Sequence, residues 1–383
     1  MDFEFGEVEK ELRKAVKDFT NKEIKPVAAK IDEIEEIPQE LIEKIADMGL
    51  LGTAFPEKYG GGGYGEIGFC IAQEEITRGC GSTATFIGAH QSIGTNSIYL
   101  GGNEDLKHKY MPDLTAGKKI AAFVLTEPNA GSDTFNLRTS ADFDGSNWII
   151  NGEKMWITNA GIADIFAVYA RTKKGITGFV VEKGMPGLSI GPKEKKLGIR
   201  GSVTNAVHFD NVIVPKENII GEDGRGFLIA MRALDAGRLG VGACSLGASK
   251  EMLKLSVEYA KNRSQFGQSI IKFQAIQFMI SEMTSKIYAM ESMLFRAAKN
   301  YELGKDISQE AAIVKLFCSE AVSEVADLAL QIHGGMGFSR ELPIERYYRD
   351  ARVLRIFEGT SEIQKLIISR KTIKRNGILT FDE

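Results

Sequence analysis

Cysteine is sparse in this chain, and no two of Cys70, Cys80, Cys244 and Cys318 stand in a C-x-x-C spacing. That excludes a disulfide framework or a zinc knuckle as the organising element. Histidine is equally scarce. His90, His108, His208 and His333 show no ligand spacing, so no metal is expected and each reads as a packed or surface residue. An excess of one charge is missing as well: 48 Lys and Arg are interleaved with 51 Asp and Glu for a formal net charge of −3, as in EVEKELRKAVKDF at 7–19. This describes solvated helix faces and speaks against a nucleic-acid partner. Apolar runs are short and broken by Gly or charge, so no membrane span is expected. The chain starts on an acidic amphipathic helix pattern rather than a leader, which points to a cytoplasmic protein, or a mitochondrial-matrix one if it is a processed eukaryotic chain.

What is present is 43% hydrophobic residues over a length of 383, enough for a sizeable core in two or three subdomains. Val8, Leu12, Val16 and Phe19 keep a helical period, and LIEKIADMGLLG at 41–52 ends on a glycine stop. From about residue 118 the character changes. IAAFVLTEP, WIINGEKMWITNA, DIFAVYART, ITGFVVEKG and NAVHFDNVIVP are short, rich in β-branched and aromatic residues, and separated by Gly, Asn and Asp turns, which predicts a compact antiparallel β domain. After GEDGRGF at 221–227 the helical period returns. The expected fold is α+β and multidomain: a helical domain at 1–117, a β domain at 118–225 and a helical domain at 226–383. Strand and helix do not alternate, which argues against a doubly wound fold. GGMGF at 334–338 follows a helix pattern and GGGGYG at 60–65 lacks a Gly-Lys-Ser/Thr ending, so neither is a dinucleotide fingerprint or a P-loop.

RIFEGTSEIQ at 355–364 carries one carboxylate, Glu358, between a bulky apolar residue and a glycine. Ser361 with Gln364 has capping-box spacing and Ile363, Leu366 and Ile367 give a helical stripe, so Glu358 is expected on the turn just before a helix, emerging from a buried segment. A carboxylate there either complements the helix dipole or serves as a general base with a raised pKa. AFVLTEPNAGSD at 122–133 is a strand running into a turn whose Thr126, Ser132 and backbone N–H groups could line a planar ring or a phosphate; a Ser- and Asp-stabilised β-turn would also account for it. WITNAG at 156–161 pairs Trp156 with Thr158 on one strand face, which ordinary core packing would also explain.

Taken in order, TEPNAGSD, WITNAG, NRSQFG, QIHGGMGF and RDARVLRIFEGT resemble the acyl-CoA dehydrogenase family over essentially the full length. Gln331, Gly334, Gly335, Gly337, Glu341, Arg346 and Asp350 fill its C-terminal signature, and Asn136 stands where the family usually has Gly, Ala or Ser. The resemblance implies a homotetramer whose subunits have an N-terminal helical domain, a middle β domain and a C-terminal four-helix bundle, with FAD between the last two. It further implies that Thr126 and Thr158 bind the isoalloxazine edge, that Trp156 covers its face, and that Ser132 contacts FAD or the CoA side. Arg263, Phe266, Gln331 and Gly335 would hold the ADP half across a subunit interface, Thr360 and Glu362 would flank the cofactor, and Arg238 and Gly359 would contact substrate.

Glu358 then matches the base of α,β-dehydrogenation in fatty acid β-oxidation, removing the α-proton of an acyl-CoA while the β-hydrogen leaves as hydride to flavin, with electrons passed to an electron-transfer flavoprotein. In the family the backbone N–H of this Glu and a ribityl hydroxyl stabilise the thioester oxygen. Some members place the base on the helix of LDAGRLG, immediately before the arginine; this chain has Gly237 there, so Glu358 has no rival. Gly88 and Ala89 lie where the family's acyl tunnel ends and suggest chains longer than butyryl, unless they only permit close helix packing, whereas LDAGRLGVGA pulls toward short-chain members. An acyl-CoA oxidase would use the same base but is usually longer, an aspartate would mark a nitroalkane oxidase, and a flavin- or acyl-CoA-binding scaffold would have lost the base.

Overall fold

The computed structural model describes residues 4–377. Its N-terminal part consists of helices α1 (Glu7–Phe19), α2 (Ala28–Ile34), α3 (Gln39–Asp47), α4 (Gly65–Thr77), α5 (Gly81–Gly88), α6 (Asn96–Gly101) and α7 (Glu104–Thr115). Local chemistry sets their ends. Gly49, just beyond α3, takes φ +69, a left-handed position that costs glycine least, and Asn103 caps α7 by accepting from Leu106 N–H at 2.9 Å. Val16, Ile31, Leu41, Ile45, Ile76 and Phe86 form the core here. α4 and α5 are buried nearly all round, as central helices must be. Between α5 and α6, Ala89–Thr95 runs as a buried π-helical segment, a wide turn of the kind found at functional sites.

The strands β1 (Ala121–Val124), β2 (Ser140–Phe143), β3 (Asn147–Thr158), β4 (Ile165–Thr172), β5 (Gly175–Glu182), β6 (Leu188–Lys193), β7 (Thr204–Pro215) and β8 (Ile219–Ile220) form one sheet in the order β6-β7-β3-β2-β4-β5-β8, with β1 against β4. The pairing is antiparallel except that β1, and Ser140 of β2, run parallel to β4. The antiparallel domain expected holds for most of the sheet, and β1 departs from it. The reason lies in β1: Ala122 and Val124 enter the sheet core while Ala121 packs toward the N-terminal helices, so the strand is covered on both faces as parallel strands usually are.

The C-terminal part holds α8 (Gly226–Asn262), a small hairpin of β9 (Ser264–Gln265) and β10 (Gln268–Ser269), α9 (Gln274–Glu302), α10 (Ser308–His333), α11 (Gly335–Phe338), α12 (Ile344–Ala351) and α13 (Ser361–Lys374). Glycine lets α8 touch α4. A Cβ at Gly247 would lie 2.1 Å from Glu74 O, and one at Gly240 would lie 3.1 Å from the Phe69 ring. All three parts meet in one buried cluster: Ala89 and Ile93 from the π-helical segment, Leu125 and Ala130 after β1, and Ala230 and Leu234 of α8. Polar ties reinforce the seam. Arg349 of α12 grips Asp32 of α2 at 3.0 and 2.7 Å and Leu197 O at 3.1 Å, while Asp350 accepts from Ile199 N–H. Among the described residues, no helix is long and apolar enough to cross a membrane, and no cluster of His, Cys, Asp and Glu could hold a metal ion.

Candidate active site

After α12 the chain tightens into a 3₁₀ turn at Arg352–Arg355 and reverses at Glu358 (φ +54) and Gly359 (φ +94). A left-handed glutamate is uncommon and persists only where its surroundings hold it. Two side chains do so. Lys315 Nζ of α10 donates to Gly359 O at 2.7 Å, and buried Gln364 of α13 donates to Glu358 O at 3.1 Å and Gly359 O at 2.9 Å. The helix cap lies one residue earlier than the Ser361/Gln364 spacing suggests: Thr360 is the N-cap, accepting from Ile363 N–H at 3.4 Å, while Ser361 donates to Glu320 at 2.6 Å. Gln364 is therefore a brace for the turn rather than half of a capping box.

The Glu358 side chain lies over α8, where a Cβ on Gly237 would come 2.1 Å from Glu358 Oε2 and 2.9 Å from Ile93 Cγ2. Glycine is what makes room for it. The neighbouring Ile356 is 50% exposed and Phe357 half-buried, so enclosure of the carboxylate comes from α8 and the π-helical segment rather than from its own flanks. Glu358 as a whole is half-buried, yet Oε2 is shut off from solvent without a hydrogen-bond partner. Burial pushes its pKa up to about 7, against the pull of the Arg238 and Lys315 charges. An unpartnered carboxylate oxygen poised near neutrality is equipped to accept a proton.

Arg238, which the resemblance implies as a substrate contact, lies on α8 near the carboxylate. It is 4% exposed, paired with Asp235 one turn back, and faces Glu358, because α8 buries this stretch on every side. Burial lifts Asp235 to about 6 in spite of Arg238.

The β domain supplies the second half of the site. The loop after β1 is pinned from beneath by Lys154 of β3, fully buried, whose Nζ donates to Leu125 O at 2.8 Å and Glu127 Oε1 at 2.9 Å. Glu127 also accepts from Arg138 N–H at 2.6 Å and Thr139 N–H at 2.9 Å, closing the loop around Ser132, which is exposed. Met155 N–H bonds Thr126 O at 2.9 Å, so half-buried Thr126 lies beside the start of the Trp156–Thr158 segment. Trp156 does not follow simple strand alternation. The β3–β7 register shifts between Lys154 and Ile157, and in this bulge Trp156 takes φ +61 and leaves 54% of its surface open. Ile93 joins the two halves, sharing a buried cluster with Leu125 and Ala130 while bordering Gly237.

Three family profiles match in order: acyl-CoA dehydrogenase N-terminal domain over residues 6–118, middle domain over 122–212 and C-terminal domain over 224–373. The short-chain-specific acyl-CoA dehydrogenase of Clostridium acetobutylicum is 41% identical over 379 residues, 98% of this chain and 100% of that one. The chain belongs to the acyl-CoA dehydrogenase family. Its fold superposes on butyryl-CoA dehydrogenase from Megasphaera elsdenii with a TM-score of 0.95 at 38% identity, covering 97% of this chain and 100% of that one. An acyl-CoA dehydrogenase from Bacillus anthracis in complex with FAD gives 0.93 at 37% identity, covering 97% and 68% respectively.

Four residues picked out by resemblance to acyl-CoA dehydrogenases lie apart from Glu358 within one chain. Arg263 and Phe266 sit on the hairpin after α8, and Gln331 and Gly335 at the end of α10, brought to the same end of the bundle by the Tyr259–His333 ring contact at 4.5 Å. All four are exposed, Phe266 at 93%. Gly237 lies about 40 Å from Arg263 along α8 at a rise of about 1.5 Å per residue. Glu362 is exposed on the first turn of α13, its carboxylate held low by its own N–H and by Thr360. Sequence reasoning missed Lys154 and Lys315. In a strand or helix pattern a lone lysine reads as a solvated position, and only tertiary packing shows that each is enclosed.

Proposed function

We propose that the protein is an FAD-dependent acyl-CoA dehydrogenase with Glu358 as its catalytic base, and the partnerless Glu358 Oε2 over Gly237 carries this reading. The carboxylate takes the α-proton of an acyl-CoA thioester, the β-hydrogen departs as hydride, and trans-2-enoyl-CoA forms. Bound FAD supplies the hydride acceptor, and the electrons then pass to an electron-transfer flavoprotein. The residues fit such a group. Trp156 presents an open indole beside Thr126 and Thr158, and a Cβ at Gly335 would meet nothing within 4 Å, so neither the open ring nor the glycine is explained by packing inside the chain. The Glu358 N–H serves the thioester oxygen as charge develops. Because Arg263, Phe266, Gln331 and Gly335 lie too far from Glu358 to share one flavin within a subunit, a second copy of the chain completes the site, in keeping with a homotetramer.

The preferred acyl group is short. Gly88, which suggested a deep tunnel, faces the fully buried Gln73 amide, 3.6 Å from where a Cβ would stand, and Gln73 in turn meets Cys244 Sγ at 3.4 Å on the α8 face that holds Gly237. That space is filled from within. The test is anaerobic mixing of the flavin-loaded enzyme with C4, C8 and C16 acyl-CoAs while following flavin bleaching, alongside Glu358→Gln. Fast bleaching by the C4 thioester, slowed by about a hundredfold or more in the variant, is expected. Equal bleaching in the variant would move the base elsewhere, and an optimum at C16 would reopen the tunnel.

A further inference from the structure

Lys315 stands in the middle of α10, fully buried, with Ala311, Ala312, Val314 and Cys318 as buried helix neighbours. Enclosing an ammonium is costly unless it is paired or hydrogen-bonded. Its acceptor is Gly359 O at 2.7 Å, and that carbonyl already receives the neutral amide of Gln364 at 2.9 Å. A second donor that carries charge is therefore not needed to satisfy the backbone. What the charge does see is the residue before Gly359. We propose that Lys315 is a positioning residue for catalysis: from α10 it fixes the Glu358–Gly359 turn and sets a positive charge beside the carboxylate that accepts the proton.

The electrostatic setting supports this, element by element. From α8, Glu358 meets Arg238, already engaged by Asp235, and the Cys244 thiol; from α10 it meets Lys315, with Glu320 further along; Arg355 lies on the preceding turn and Glu362 on α13. Arg355 is bound to Glu320 at 2.8 Å, which leaves Lys315 and Arg238 as the cations acting on the base. The influence is mutual. Burial depresses Lys315 to about 8, and Glu358 is the foremost group holding it up.

This inference rests on Glu358 being the base, and the experiment separates the two. Flavin reduction by butyryl-CoA is followed anaerobically across pH in the flavin-loaded wild type, Lys315→Gln, Lys315→Met and Glu358→Gln. Lys315→Gln keeps a donor for Gly359 O but loses the charge, and its rising pH limb should move about one unit alkaline, slowing reduction about tenfold below the midpoint. Lys315→Met should show the same shift plus a loss at every pH, since the turn is released as well. As a readout independent of turnover, the Lys315 ammonium is titrated by NMR in wild type and Glu358→Gln; loss of the carboxylate should lower its midpoint. Unmoved pH limbs with an inactive Glu358→Gln would overturn the role of Lys315 and leave the base intact, whereas an active Glu358→Gln would remove the base itself. If the Lys315 variants do not fold, an unchanged Lys315 titration in Glu358→Gln overturns the proposal alone.

Discussion

Gly237 and Glu358 occupy one another's space: a single methyl group on Gly237 would stand 2.1 Å from Glu358 Oε2, far inside contact distance. The carboxylate is where it is because α8 has no side chain there. Glycine in the middle of a long helix costs about 1 kcal/mol relative to alanine, so the position gives up helix stability for a cavity that the base fills.

Gly237→Ala is therefore expected to raise helix propensity while pushing Glu358 off its turn. Flavin reduction should fall about a hundredfold, the scale associated with a shift of roughly 1 Å at a reacting group, while flavin content stays normal. Single-turnover kinetics and the flavin-to-protein ratio check this together, and an unchanged rate would mean the carboxylate has room the structure denies it.

The enclosed Glu358 also makes a stability prediction. Its folded pKa, about 7, is above the ordinary glutamate value, so its contribution is complete at low pH and is lost as pH rises through 7. Glu358→Gln imitates the protonated form. Thermal unfolding should show the variant more stable than wild type by a few degrees near pH 8.5, with the gap closing near pH 4.

Lys154 is expected to matter more for folding than for chemistry. Burial raises the Glu127 pKa, but Lys154 and the Thr139 and Arg138 donors more than offset it, keeping the carboxylate ionised. Lys154→Met strands that charge, at a cost of about 3–5 kcal/mol, and should loosen the loop bearing Thr126 and Ser132. Chemical denaturation and flavin retention on gel filtration measure the two effects; adding Glu127→Gln should restore part of the stability.

His90 governs the acid side. Ala121 N–H donates to its Nδ1 at 2.9 Å and its Nε2 meets Leu114 O at 3.0 Å, which fixes a neutral ring joining the π-helical segment to β1 and α7. Burial lowers its pKa from 6.5 to about 4. The folded state thus takes up its proton later than the unfolded chain, and stability present above pH 6.5 should drain away as pH falls toward 4. His90→Gln should flatten that part of a Tm-against-pH curve, and an unaltered slope would assign the loss to other groups.

How much of this was legible beforehand depends on the distance over which each feature is decided. The helical stretches, the strand segments and the glycine stop after α3 follow from local periodicity and turn chemistry, and Glu358 was correctly read as a turn residue before a helix. The departures came from neighbours in space. The cap fell on Thr360 because Gln364 is drawn back to the Glu358 and Gly359 carbonyls, and β1 runs parallel because it is covered on both faces.

By itself the sequence determined which segments are helix and strand, and which residue types are available for proton abstraction, because those depend on patterns a few residues long. Tertiary structure alone decided that Gly237 clears space for Glu358, that Lys315 reaches Gly359 from 44 positions away along the chain, and that Lys154 is a buried anchor. Desolvation and charge proximity are properties of what surrounds a group in space, and no local pattern encodes them.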